Sequence, residues 1–253
     1  MLNEWQAAQL FDLQEKNGVF ETLIEQCYSS VLGQGDRAID GGAHIGMHTL
    51  PMARRVGTGG RVFSFEPIGS LADCIEKAAE DMPQVRVFRQ ALSDRDGDTS
   101  FHVMTDEPWL SGIARRFKGT DKPVEIVTVP RFRLDLLLEE PIRFIKLDLE
   151  SGEYHALRGG MQLLIKHRPI IALECGRADS AIAAGYTEDE YFGLFEQVGY
   201  RLHDLFGRPF LRSDFYRPYT DRMIPHYLVA TAANHDNVIE HLLANAQAAL
   251  NDG

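Results

Sequence analysis

The stretch from Arg37 to Thr49, RAIDGGAHIGMHT, limits the possible folds more than any other part of the chain. Ala38 and Ile39 form the end of an apolar run, Asp40 follows, Gly41 and Gly42 are adjacent, and Gly46 opens a helix-competent segment. This reads as strand, tight turn and helix. At such a junction the backbone can approach a ligand closely, with helix N–H groups turned toward it. A dinucleotide-binding turn needs glycines at the first, third and sixth places. The pattern here is D-x-G-x-x-x-G, which excludes that fingerprint. The reading predicts a helix from about Gly46 to Val56, closed at Gly57, with Pro51 near its start where proline is tolerated.

The remaining strands follow from short apolar runs between helical patterns. RVFSFEP at 61–67 is the second and VRVFRQA at 85–91 the third. RFIKLDLE at 143–150 is the fourth and PIIALEC at 169–175 the fifth; Tyr200–Leu205 and Tyr227–Thr231 complete the set. Helices are expected over 70–81, from 153 to about 165 with a break at Gly159–Gly160, over 187–198, and from 236 to about 250. Thr187 and Glu190 have the spacing of a capping box. Residues 93–98 read as a hairpin turn into β segments at 99–103 and 124–129. A calcium loop there is excluded, because the glutamate at the twelfth place and the flanking helices are missing. Residues 104–122 read as an irregular loop with Trp109, Leu110 and Ile113 as unpatterned apolar residues before Arg115 and Arg116. A short helix is expected near Asp135–Glu139.

Alternating strands and helices imply a mainly parallel sheet with ligands at the strands' carboxyl ends. Asp40, Glu66, Asp148 and Glu174 all fall at such ends. Residues 1–34 read as two helices broken at Asn17-Gly18, a cap or lid on one α/β domain spanning 35–253. Few cysteines (three, widely spaced) suit a reducing compartment and exclude a disulfide framework or zinc knuckle. The net charge of −11, without a basic run, argues against a duplex-binding protein. The N-terminus does not read as a signal peptide, and no apolar run approaches the ~20 residues that span a bilayer. A cytoplasmic protein without membrane insertion is expected.

DGGAHIG at 40–46, FSFEP at 63–67, QALSD after the third strand and, above all, IKLDLESGEYHALRGG at 145–160 resemble the FkbM family of S-adenosylmethionine-dependent methyltransferases. The resemblance runs over about 37–232. The family typically has asparagine where His44 stands, and a small residue where Ser151 stands. The resemblance implies a Rossmann-like seven-stranded methyltransferase sheet, mostly parallel with an antiparallel last strand and helices on both faces. It implies O-methylation of hydroxyls on sugars, polyketides or related metabolites, with S-adenosylhomocysteine as product.

Chemistry assigns roles within that site. Gly41, Gly42, Ala43, His44 and Gly46 form the loop that admits nucleoside and tail. Asp40 orients the turn and faces the tail's ammonium, directly or through water. Glu66 accepts both ribose hydroxyls. Pro67 and Ile68 offer an apolar side to the adenine, and Gln90, Ala91 and Leu92 flank it. Asp148 stands beside the point where the methyl emerges. A base assists an alcohol acceptor, and the candidates are Asp148, Glu150, Glu174 and His226, in that order. Asp148, Glu150 and Glu174 also have the oxygen chemistry of a divalent-cation site, though no metal is expected. The partner expected is a small-molecule or glycan acceptor rather than nucleic acid. The alternatives are a catalytically silent cofactor-binding domain and, less favoured by the glycine spacing, an NAD-dependent oxidoreductase.

Overall fold

A computed structural model describes residues 2–114, 123–218, 221–232 and 236–252; Arg115 and Arg116 lie outside them. Two helices come first. α1 (Glu4–Asn17) starts with a capping box between Asn3 and Gln6 and stops at Gly18, whose left-handed φ of +67° ends the helix and starts α2 (Val19–Val31). β1 (Arg37–Gly41) then enters the sheet, followed by α3 (Thr49–Val56), β2 (Arg61–Phe65), α4 (Gly69–Ala78) and β3 (Val85–Phe88). A side sheet is built from β4 (Ala91–Leu92), β5 (Asp98–Met104) and β6 (Val124–Phe132). The main sheet resumes with β7 (Ile142–Leu147), α5 (Glu153–Arg158), α6 (Met161–His167) and β8 (Ile170–Glu174). α7 (Arg177–Ala184), α8 (Glu188–Val198), β9 (Tyr200–Asp204), α9 (Arg212–Phe215), β10 (Tyr227–Ala232) and α10 (Asp236–Asp252) complete the chain.

The main sheet has seven strands in the order β3-β2-β1-β7-β8-β10-β9. β10 runs antiparallel to both neighbours; the other pairings are parallel. This is the expected methyltransferase sheet with its antiparallel last strand. Both faces are covered, so the strands are apolar throughout. Along each, successive side chains enter opposite layers. Ala38, Val62, Phe144 and Val229 pack with α1, α2, α3 and α10; Ile39, Phe63, Ile145 and Leu228 pack with α5, α6 and α8. The first two helices thus share one core with the sheet and the C-terminal helix.

Several expectations are corrected. The third strand ends at Phe88, and Ala91–Leu92 leaves it to pair in parallel with β6. Residues 93–98 therefore do not close a hairpin: β4 and β5 flank β6 without pairing to each other. The helix expected from Gly46 starts only at Thr49, because His44 takes a left-handed φ of +50° and residues 44–48 form turns. The fourth strand ends at Leu147, which leaves Asp148, Leu149 and Glu150 in the turn beyond it. The short helix near Asp135 is a 3-10 turn over Leu134–Leu137. α7 and α9 had no periodic signal and were not foreseen.

Candidate active site

The carboxyl ends of β1, β2 and β7 and the side sheet border an open cleft. Gly42, His44, Asp148, Leu149 and Gly152 line it on the side of the β1 and β7 turns. Glu66, Pro67 and Ile68 from the turn after β2 also line it, as do Gln90, Ala91, Leu92 and Phe101. The side sheet contributes Pro108, Trp109, Ser111 and Ile113 from the loop after β5. That loop is held by a bridge between His102 and Gly112 and by Met104 N–H donating to Ser111 Oγ at 3.0 Å.

Glu66 is buried, and its carboxylate joins the loops after β1 and β2. Oε2 accepts the His44 N–H and Oε1 the Ile68 N–H, each at 2.9 Å. Every carboxylate oxygen has a second acceptor position, so the group can still take two hydroxyl hydrogens. Burial pushes its pKa up to about 7, against the pull of the two backbone N–H groups. The neighbouring wall of Ile68, Ala91, Leu92 and Phe101 is apolar and suits a purine. A nucleoside with a free ribose diol fits this part of the cleft.

The loop after β1 spends its amides within the protein. Gly42 and Ala43 N–H both donate to Phe65 O, and Gly46 N–H donates to Ala43 O. With His44 N–H on Glu66, these four loop groups are bonded within the protein. Position 44 has a left-handed backbone, which asparagine and histidine tolerate better than most residues; that accounts for histidine where the family has asparagine. Gly42, at φ +71°, has a further constraint: a Cβ there would lie 1.8 Å from the Asp148 carbonyl oxygen. Its missing side chain makes room for the turn after β7.

Asp40 is fully buried and is not part of the cleft wall. Its Oδ2 accepts the Thr49 hydroxyl at 2.6 Å, and Thr49 Oγ1 lies 2.9 Å from Ser64 Oγ. Beside it is Lys146, buried at the penultimate position of β7, which sequence reasoning missed. Its Nζ lies 3.8 Å from Asp40 Oδ1 and 3.6 Å from Asp148 Oδ2, and donates to Gly42 O at 3.3 Å. Burial pulls the ammonium down, but Asp148, Asp40 and Glu21 outweigh it and hold Lys146 above its ordinary value. A lysine inside an apolar strand was itself a signal, since a buried charge must be paired. Tyr227 Oη donates to Asp148 Oδ2 at 2.6 Å.

Carboxylate oxygens of Asp148, Glu150 and Glu174 lie within 4.8 Å of one another. Glu150 and Ser151 reach this position with left-handed φ values of +50° and +83°, a strained turn of the kind found at functional sites. Gly152 is the N-cap of α5, and the Glu153 carboxylate accepts the Leu149 N–H. Burial, then Glu174, raises the Glu153 carboxyl well above its usual range. His226, the fourth base candidate, packs its ring 5.4 Å from that of Phe20 and is not in the cleft wall.

Sheet order and site geometry together define an S-adenosylmethionine-dependent methyltransferase fold. The sequence profile described as Methyltransferase FkbM domain matches residues 40–202, more than half of the chain, and the chain belongs to that family. No curated protein sequence matches it. Among solved structures, it is similar to methyltransferase FkbM from Methylobacillus flagellatus KT, with 16% identity over 80% of this chain and a TM-score of 0.46. It spans only 49% of that protein. A S-adenosylmethionine-dependent O-methyltransferase from Thermotoga maritima matches 84% of this chain and 64% of its own length, with 19% identity and a TM-score of 0.45. A rRNA methylase from Streptococcus thermophilus matches 82% of this chain and 92% of its own, with 13% identity and a TM-score of 0.44. At this level of similarity none of these proteins' acceptors transfers to this chain. No helix among the described residues is long and apolar enough to cross a membrane.

Proposed function

We propose that the chain methylates a hydroxyl group of a small molecule or glycan. The observation that carries this reading is the cluster of Asp148, Glu150 and Glu174 within 4.8 Å of one another, of which Asp148 lines the cleft and Glu150 and Glu174 lie behind it. S-Adenosylmethionine supplies the methyl group on a sulfonium that is already a good leaving group. The protein's work is then to align the acceptor, exclude water and take one proton. Glu66 grips the ribose diol, while Ile68, Ala91 and Leu92 cover the adenine. Gly42 lets the turn carrying Asp148 close against the loop after β1. The acceptor hydroxyl attacks the methyl carbon as a carboxylate takes its proton, leaving an ether and S-adenosylhomocysteine. Glu150 and Glu174 are the base candidates, because one oxygen of Asp148 already accepts the Tyr227 hydroxyl and faces Lys146. Metal is not part of the reading, and neither is a nucleic-acid acceptor, given the net charge of −11.

The test is transfer from labelled S-adenosylmethionine to a panel of hydroxylated sugars and polyketides, in magnesium and in chelator, with mass spectrometry locating the methyl group. An O-methyl product that Glu174→Gln or Glu150→Gln slows more than tenfold supports the proposal. Label incorporated into RNA, or into nitrogen, overturns it.

A further inference from the structure

The turn of a methyltransferase's first strand has an acidic residue that was expected to meet the ammonium of the cofactor's amino-acid tail. In this chain that residue is Asp40, and it is committed elsewhere. It is fully buried, bonded to Thr49 at 2.6 Å, with Lys146 on its other oxygen side at 3.8 Å. The same ammonium of Lys146 lies 3.6 Å from Asp148, so one buried cation serves two carboxylates. The trio of Asp40, Lys146 and Asp148 has one negative charge in excess, and its only member in the cleft wall is Asp148.

Asp148 is also held in one orientation. Tyr227 Oη donates to Oδ2 at 2.6 Å, on the oxygen nearest Lys146. Among the described residues Oδ1 accepts no hydrogen bond, and the side chain is 28% exposed. Glu150 and Glu174 within 4.8 Å deepen the negative potential at that spot. Gly42 and His44, from the loop after β1, line the same side. His44 N–H donates to Glu66 and the Gly42 Cβ position abuts the Asp148 carbonyl, so one short loop joins the group assigned to the ribose to the group assigned to the tail.

We infer that Asp148, and not Asp40, is the anion that binds the ammonium of the amino-acid tail, and that Lys146 and Tyr227 are positioning residues that hold it ready. The inference rests on the cofactor, and it stands whichever acceptor is methylated. A carboxylate fixed by a buried cation and a phenol needs no reorganisation when the tail arrives, which is the general benefit of preorganisation. This arrangement also moves the tail's anchor from the first strand to the fourth in sheet order of use, on the turn that carries the candidate bases.

The experiment compares two ligands by calorimetry in chelator: S-adenosylhomocysteine, and methylthioadenosine, the same nucleoside thioether without the amino-acid tail. Asp148→Asn is expected to weaken S-adenosylhomocysteine by roughly 10- to 100-fold, the range of a charge-assisted hydrogen bond, with methylthioadenosine changed less than twofold. Tyr227→Phe, which keeps the ring packed, is expected to lower the first affinity several-fold and spare the second. Lys146→Met is expected to do the same if it folds by circular dichroism; Tyr227→Phe decides the matter if it does not. A loss shared equally by both ligands in Asp148→Asn, or no loss at all, overturns the inference, as does Asp40→Asn removing the tail's contribution while Asp148→Asn retains it. Failure of the O-methylation reading leaves these affinities untouched, so the two fail separately.

Discussion

Replacing Gly42 by alanine tests the joint between the loop after β1 and the turn after β7. Two costs are readable from the structure. The backbone has φ +71°, a left-handed conformation that costs an alanine roughly 1–2 kcal/mol. The new Cβ would also lie 1.8 Å from the Asp148 carbonyl oxygen, where ordinary contact begins at 3.4 Å. The carbonyl must retreat, which strains the Asp148 N–H bond to Gly41 O at 3.1 Å and the Lys146 bond to Gly42 O. Losing those adds about 1–3 kcal/mol. Gly18→Ala is the matched control, because its φ is +67° and nothing lies within 4 Å of its Cβ position. It should show the backbone cost alone. For a chain of this size each kcal/mol moves Tm by about 2–4 °C, so the two variants should melt roughly 2–12 °C apart. Thermal unfolding followed by circular dichroism measures this, and calorimetry with S-adenosylhomocysteine measures the site. Gly18→Ala should bind normally and Gly42→Ala weakly. Equal melting shifts, or normal binding by Gly42→Ala, would refute the reasoning.

Two further outcomes are expected. Glu66 has an ordinary pKa of 4.5 that burial raises to about 7 in the folded protein. A raised carboxyl contributes stability in full below 4.5 and loses it as pH rises through 7, whereas the ionised form is the better acceptor for ribose hydroxyls. Affinity for S-adenosylhomocysteine should therefore weaken by up to tenfold per pH unit on acidification below 7, and Glu66→Gln should bind weakly with a flat profile; a pH-independent parent would contradict this. Burial pushes the Cys27 thiol up to about 12 and the Cys175 thiol up to about 11, whereas Cys74 is exposed. A thiol reagent should thus modify one cysteine quickly in native protein and all three in denaturant, and rapid labelling of two or more in native protein would show that the helix layers are looser than described.

Much of the fold was legible because its signals are local. Continuous apolar runs marked the parallel strands, glycines marked the ends of α1 and α3, and Thr187 with Glu190 marked the start of α8. The misreadings occurred where local signals were silent or shared. QA at 90–91 looked like the end of a strand, yet Gln90 lies in a bend and Ala91 crosses with Leu92 to the side sheet, since pairing partners are chosen over long range. α7 lacked a periodic apolar face, and it forms because its Ser180 and Ala181 are buried against the site, with Ser151 Oγ donating to Ser180 Oγ at 2.8 Å.

The sequence by itself determined the family, the sheet with its antiparallel last strand, and the residue types at the strand ends, because each depends on short-range pattern and on side-chain chemistry. Only the tertiary structure decided what each acid faces. Asp40 lies inside β1, in register with Lys146, and Asp148 lies in the turn just beyond β7. Their difference arises from Lys146, which projects from β7 between them, and from Tyr227, which arrives from a strand paired to neither. A carboxylate's role depends on its burial and on the charges within a few ångströms, and those neighbours come from segments far apart in the chain.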